Sequence, residues 1–342
     1  MSVVDGPGDL TPEWLTGALG ATVGSVSWEP VGSGQIGACY RLDIEGDGVP
    51  ARLIAKLAAP DVAARAFLAP VYRNEVCFYR ELAGTVAVRT PACHYSALAE
   101  DATTFVLLLE DLSPAVQGDQ LAGCTPEQGL AAVVNLAGLH GPRWCDPALR
   151  ELPWMNVVGP EDAVTLGEVF RPAVDTFVER FTGRLGEEDV RTLYDVADRM
   201  AAWVVGRPER FGLVHGDYRL DNLLFDPDGK SAAAVDWQTL SLGHPVRDLA
   251  YFVGTSMDPP ERRRHERALV EAYHAALLAH GVADYTGEEC FEDYRFAAAQ
   301  GPLITVLGCA YGARTERGDR MFLAMAARSC AAIRDLGTLD LV

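Results

Sequence analysis

Within FGLVHGDYRLDNLLFDPDGKSAAAVDW, residues 211–237, an apolar run stops to place His215, Asp217, Arg219, Asp221 and Asn222 within eight residues, turns apolar again, and then presents Asp236. Polar groups beside buried strands cost free energy unless something pairs them. FGLV, LLF and AAAV read as short strands. Asp226-Pro227-Asp228-Gly229 is a strong turn signal between the last two, so the segment predicts a hairpin. A hairpin closed at 226–229 brings its open ends together, and Asn222 and Asp236 can then approach one ion. Magnesium prefers hard oxygen ligands, few from protein and the rest from phosphates and water. An amide and a carboxylate suit it. Asp217, just before, is placed to accept a hydroxyl proton. In phosphoryl transfer the transition state is loose, so positioning and electrostatics do most of the work.

A second candidate comes from a count. Of 29 basic residues only Lys56 and Lys230 are lysine. Lys230 falls in the turn, where any polar residue would serve. Lys56 sits in RLIAKLA, an apolar strand-like run, and a compact ammonium there often cannot be replaced by the arginine used elsewhere. Upstream, Gly32, Ser33, Gly34 and Gly37 lie in VGSGQIGA, a match to GxGxxG. A dinucleotide site requires a helix straight after the glycines. Here the following residues alternate as a strand, which suits the glycine hairpins whose amides cover ATP phosphates. A Walker A motif is absent, since Leu224 stands where its first glycine should. HERAL at 265–269 fails the HExxH zinc motif, and there is no GxSxG elbow.

The elements that must position these residues can be traced. Thr11-Pro12-Glu13 opens a helix with Thr11 as its cap. Val26 and Trp28, then Tyr40, Leu42 and Ile44, alternate with polar residues on either side of the glycines. EGDGVP turns the chain into the strand around Ile54. Residues 71–83 have a helical period that puts Val71, Glu75, Phe78 and Leu82 on one face, so an acid sits on an apolar stripe. TTFVLLLEDLS is a short buried strand ending in acids. After Pro114 a polar connector runs to about Thr125. From Pro126 onward EQGLAAVVNLAGLHG, 187–205 and 261–281 are helical in spacing. The expected divisions are a lobe over 1–112, a connector over 113–125 and a helical lobe over 126–342.

HGDYRLDN followed by VDW resembles the aminoglycoside phosphotransferase and choline kinase group, relatives of protein kinases. LLLEDLS and GLHGPRW look more like its ecdysteroid-kinase-like branch. The resemblance implies an α+β, bilobal, protein-kinase-like fold with a small antiparallel-sheet N-lobe and a mainly helical C-lobe. By similarity Asp217 is the catalytic base, Asn222 and Asp236 hold Mg²⁺, and Lys56, paired by Glu75, contacts the α/β-phosphates of ATP. The Glu110 carbonyl and Leu112 amide would hydrogen-bond adenine. Arg219 lies where protein kinases keep a lysine near the γ-phosphate. Asp248, in GHPVRDLAYF, resembles the acid that braces the catalytic loop. His215, His140 and Trp144 are expected to be structural, and Asp221 is given no chemistry. The YRLD of this loop departs from the HGDLHPGN-like loops of antibiotic-modifying members, which weighs against an aminoglycoside as acceptor.

The implied activity is an ATP- and Mg²⁺-dependent transfer of phosphate to a hydroxyl of a small molecule, such as an antibiotic, amino alcohol, sugar or steroid-like alcohol. The alternative is a catalytically silent nucleotide-binding module. A protein kinase is disfavoured because only about a dozen residues separate Asp236 from Asp248, a short platform for a peptide in this class. EECFEDYRF at 288–296 could offer acids to a cationic acceptor, with Tyr294 as a stacking surface, or form a solvated helix face. His244 is a further loop residue that could face substrate. A net charge of −19 argues against a nucleic-acid partner. Eight cysteines without a CxxC pair suggest neither zinc nor a disulfide framework. No basic-then-apolar leader and no apolar run long enough for a bilayer is present, so no membrane and a cytoplasmic location are expected, with oligomeric state open.

Overall fold

Alternating strands near the N-terminus form a five-stranded antiparallel sheet of order β1-β2-β3-β5-β4. Its members are β1 (Val23–Val31), β2 (Gly37–Gly46), β3 (Arg52–Ala58), β4 (Cys93–Leu98) and β5 (Phe105–Glu110). The computed structural model describes residues 3–32 and 36–342, so the expected glycine turn at Ser33 and Gly34 lies outside the described residues. The chain divides into two units. One comprises Met1–Thr85, Thr90–Pro114 and Val235–Thr239; the other comprises Val86–Arg89, Ala115–Ala234 and Leu240–Val342. The second unit thus takes 86–89 from within the first stretch, and the first takes back 235–239.

In the first unit the pleat sorts β3 by parity. Leu53, Ala55 and Leu57 join Leu42, Ile44, Val106 and Leu108 in one core, which α1 (Pro12–Leu19) closes with Leu15. Thr11 caps α1 as expected, accepting from the Trp14 N–H at 3.2 Å. Lys56 points to the opposite face, where β3 pairs it with Cys39 of β2 and Leu107 of β5. The helix on that face, α2, runs Val62–Cys77 and continues as a π-helical turn over Phe78–Leu82. The spacing from Val71 marked only its second half. Pro70 sits inside the helix, and the true start is Asp61, whose side chain accepts from the Ala63 N–H.

The second unit is mainly helical. Its helices are α3 (Pro126–His140), α4 (Pro160–Arg180), α5 (Glu187–Val204), α6 (Val246–Ser256), α7 (Pro259–Ala279), α8 (Gly287–Ala297), α9 (Gln300–Tyr311) and α10 (Glu316–Leu336). Every residue of α6 is buried, as for a helix enclosed on all sides. Short strands β6 (Val116–Gln117), β7 (Gly212–Val214), β8 (Leu223–Phe225), β9 (Ala232–Ala234) and β10 (Ser241–Gly243) lie among them. β8 and β9 form the expected hairpin, with Leu223 opposite Ala234. β7 pairs with β10. Among the described residues no helix is long and apolar enough to cross a membrane.

Candidate active site

In the first unit the largely buried Lys56 ammonium lies 2.7 Å from the Glu75 carboxylate and 2.9 Å from Asp236 Oδ1. Burial alone would lower the Lys56 pKa. Asp236 and Glu75 outweigh it and hold that pKa well above the ordinary lysine range. Burial raises the Glu75 pKa, and Lys56 opposes the shift, as does the Trp237 backbone N–H that Glu75 accepts. The stretch around Asp236 is fastened to α2. Trp237 stacks on Phe78 with ring centroids 3.7 Å apart, and its Nε1 donates to Thr90 Oγ1. Asp236 adopts φ +70°, a left-handed conformation that costs a non-glycine residue roughly 1–2 kcal/mol and is tolerated best by Asp and Asn. Gly37 opens β2 where a Cβ would meet the Leu57 carbonyl at 2.9 Å. Only glycine allows that approach beside Lys56. Gly32 has φ +75°. Glu110 ends β5 and accepts the Ala92 N–H through Oε2. The next turn, which contains Leu112, is tied by Asp111 Oδ1 to Ser113 N and Oγ.

In the second unit β7 delivers His215, Gly216 and Asp217. Gly216 has φ +83°, so the bend before Asp217 favours glycine. The fully buried Asp248 accepts the His215 N–H at 2.6 Å and the Gly216 N–H at 3.0 Å. His215 is buried, and its Nδ1 accepts the Asp217 N–H. Both Asp217 oxygens accept: Oδ1 from the Tyr251 hydroxyl at 2.8 Å, Oδ2 from Asn222 Nδ2 at 2.9 Å and Arg219 Nε at 3.0 Å. Burial and the neighbouring Asp217 charge push the Tyr251 pKa far up, so its hydroxyl stays a donor. Burial alone would lower the Arg219 pKa, but Asp217, Tyr251 and Asp221 outweigh it and raise it. Asp221, expected to be a bland turn residue, is a hub. It accepts from Arg219 Nη1, from both Nη atoms of Arg317 and from the Gln120 N–H.

Mg²⁺ calls for hard oxygen donors. Asn222 spends Nδ2 on the Asp217 carbonyl and Oδ2, which leaves Oδ1 without a donor among the described residues. Asp236 spends Oδ1 on Lys56, and its Oδ2 likewise has no donor among them. One amide oxygen and one carboxylate oxygen are hard ligands, few in number, and fit this ion. Among the described residues no group of three or more His, Cys, Asp or Glu is arranged to hold a metal alone.

The 288–296 segment differs from expectation. It forms most of α8, but Tyr294 is fully buried with its hydroxyl on Glu266, so it is no stacking surface. Asp293 is also fully buried, within reach of Arg207, Arg210 and Tyr285. Glu292 pairs with Arg207, and Glu289 pairs with Arg210 while capping α8 at Thr286. Asp293 is committed internally, Glu289 and Glu292 are paired at the surface, and Glu288 is exposed, so α8 is solvated on one face and buried on the other. His244 is buried against Asp293. His140 is buried and bonded to the Tyr273 hydroxyl at 2.7 Å.

Tyr251, Gln120 and Arg317 escaped the sequence. For Tyr251 a signal existed: it lies one helical turn after Asp248 in DLAYF, hence on the same face.

The profile of the phosphotransferase enzyme family matches residues 27–288. Among curated proteins, acyl-CoA dehydrogenase family member 10 of Mus musculus is 45% identical over 58 residues, 16% of this chain and 5% of that protein. The chain therefore spans a small fraction of the length of the curated relatives it first matches. Among solved structures, choline kinase from Cryptosporidium parvum Iowa II superposes with a TM-score of 0.62 at 11% identity, covering 92% of each chain. Spectinomycin phosphotransferase, solved with ADP and spectinomycin, gives 0.51 at 11% identity over 97% of this chain and 98% of that one. At these identities the likeness is one of fold, the kinase-like fold of an antiparallel N-terminal sheet followed by helices.

Proposed function

Because the chain belongs to the phosphotransferase enzyme family, we propose that it transfers the γ-phosphoryl group of ATP to a hydroxyl of a small molecule. The observation that supports this most is the buried Lys56 ammonium held by Glu75 and Asp236. Such an ammonium serves the α/β-phosphates. In this reading the Gly32 and Gly37 amides face them, while Ser33 and Gly34 lie outside the described residues, and the Glu110 carbonyl and Leu112 amide take the adenine edge. Mg²⁺, held by Asn222 Oδ1 and Asp236 Oδ2, would neutralise the phosphate charge.

Asp217 orients the acceptor hydroxyl and receives its proton on Oδ2. The hydroxyl oxygen forms its bond to the γ-phosphorus as the bridging P–O bond breaks, and ADP leaves with that electron pair. Arg219 starts on Asp217 and Asp221. In this proposal it trades Asp217 for the transferring phosphoryl group, which also frees Oδ2 for the proton.

Asp217→Asn keeps the shape and removes the base. It is expected to lower kcat by about 10²–10⁴-fold, the usual worth of positioned acid–base catalysis, while ATP affinity by calorimetry stays within a few-fold. Near-normal turnover of a proven acceptor by this variant overturns the assignment. Nucleotide binding with no transfer across a broad acceptor panel would instead identify a silent binding module.

A further inference from the structure

An open pocket of about 590 Å³ in the second unit is lined by Asp119, Leu121, Ala122, Arg317 and Arg320. We infer that this pocket seats the acceptor and that the acceptor carries an anionic group, a carboxylate or a phosphate, besides the hydroxyl that is phosphorylated. The inference rests on the assignment of Asp217 as the base.

The first argument is connection. Arg317 holds Asp221 with both Nη atoms at 3.0 Å and Asp119 at 3.2 Å. Asp221 holds Arg219, and Arg219 Nε holds Asp217 Oδ2 at 3.0 Å. A second route is apolar: Leu121 packs with Tyr251 and Met321, and the Tyr251 hydroxyl reaches Asp217 Oδ1. The pocket wall is thus two side chains from the base by the first path, Asp221 and Arg219, and one, Tyr251, by the second.

The second argument is charge. The chain carries a net −19, yet this pocket presents a guanidinium that no carboxylate answers. Arg317 is already occupied by Asp221 and Asp119. Arg320 has no hydrogen-bond or ion-pair partner among the described residues. An acceptor filling the pocket would displace its water, and a desolvated guanidinium is costly unless an anion meets it. The planar fork matches a carboxylate or phosphate with paired hydrogen bonds. A cationic acceptor would meet the like charge of Arg320, and Glu289, Glu292 and Asp293 of α8, which could have welcomed it, are paired with Arg207 and Arg210.

The test uses matched alcohols that differ only in the remote group. 4-(Hydroxymethyl)benzoate is compared with 1,4-benzenedimethanol and 4-(aminomethyl)benzyl alcohol; 4-hydroxybutyrate is compared with 1,4-butanediol and 4-amino-1-butanol. ATP-dependent phosphorylation is measured with the full chain. The carboxylate member of a set is expected to exceed the neutral one in kcat/KM by about 10- to 100-fold, as for charge-assisted pairs. Arg320→Ala should erase that preference mainly through KM. Arg320→Lys should restore part of it, and Arg320→Glu should shift it toward the ammonium member. Preference of the wild type for a neutral or cationic member overturns the inference, as does an anionic preference that survives Arg320→Ala. If no member is phosphorylated while ATP still binds in a Lys56-dependent way, the anionic-acceptor inference fails and the kinase assignment stands. Loss of ATP binding itself would sink both.

Discussion

Lys56 is a cation that its surroundings require. Glu75 is fully buried and Lys56 nearly so, and each carboxylate beside the ammonium is stabilised by it. Replacing Lys56 by Met would leave Glu75 buried with little besides the Trp237 N–H, and breaking a buried pair from one side costs about 3–5 kcal/mol. Urea unfolding of Lys56→Met should show that loss. The double variant Lys56→Met/Glu75→Leu should recover most of it without recovering nucleotide binding, because the orphaned charge is gone and the phosphate ligand is not replaced. A Lys56→Met variant as stable as wild type would contradict this account. The same residues explain what was legible at this scale. Lys56 stood out as a lysine where arginine is the rule, Glu75 as an acid on an apolar stripe, and Asp217, Asn222 and Asp236 by their spacing around a hairpin. Tyr251, Gln120 and Arg317 reach their partners over 34, 100 and 96 residues of chain. Beyond the one-turn spacing of Tyr251 from Asp248, no local pattern encodes meetings that depend on how α6, α10 and the connector pack.

At the scale of elements, α6 organises the loop that carries Asp217. Asp248, Tyr251 and Thr255 recur at helical spacing and so share one face. They hold, respectively, the His215 and Gly216 amides, the Asp217 carboxylate and the Gln120 side chain. Gln120 in turn accepts the Leu220 N–H at 2.9 Å. Asp248→Ala would orphan two buried amides, each costing about 1–3 kcal/mol. It should lower both the thermal midpoint and kcat, whereas an equally stable and active variant would show that the brace is dispensable. The junction between β10 and α6 adds a pH dependence. His244 is buried there, and neither ring nitrogen makes a well-formed hydrogen bond. Burial lowers its pKa below 6.5; Asp293 opposes the shift, while Arg247 and Arg207 reinforce it. The unfolded chain therefore takes up a proton that the folded one resists. The His244 contribution to stability is complete above pH 6.5 and is lost as pH falls through the folded pKa. His244→Gln should flatten the stability profile between pH 7.5 and 5 in urea titrations; an unchanged slope assigns the dependence to another group. Of the elements, the hairpin and α3, α5 and α7 were readable because turn chemistry and helical period act locally. The first half of α2 was not, because Pro70 reads as a boundary and only Arg65 is buried in those turns, with Val62 and Phe67 exposed, so no apolar stripe marks them.

At the scale of the molecule, the family and its kinase-like fold were legible because one specific string, HGDYRLDN with VDW, carries them. The strand order, in which β5 inserts between β3 and β4, has no counterpart in any single segment. The division into units is likewise non-local: 235–239 join the first unit through Lys56, Glu75 and the Trp237–Phe78 stack. A ligand bound only by the folded chain stabilises it by mass action, by about 2.7 kcal/mol at a hundredfold its Kd. ATP with Mg²⁺ should therefore raise the midpoint of unfolding by several degrees. EDTA should remove most of the gain if, as proposed, Mg²⁺ carries the phosphates on the Asn222 and Asp236 oxygens. Asp217→Asn should keep the gain, since it removes a base and not a nucleotide ligand, while Lys56→Met should lose it. A shift that is indifferent to both EDTA and Lys56 would mean that the nucleotide binds elsewhere, and the roles given to Lys56, Asn222 and Asp236 would have to be withdrawn.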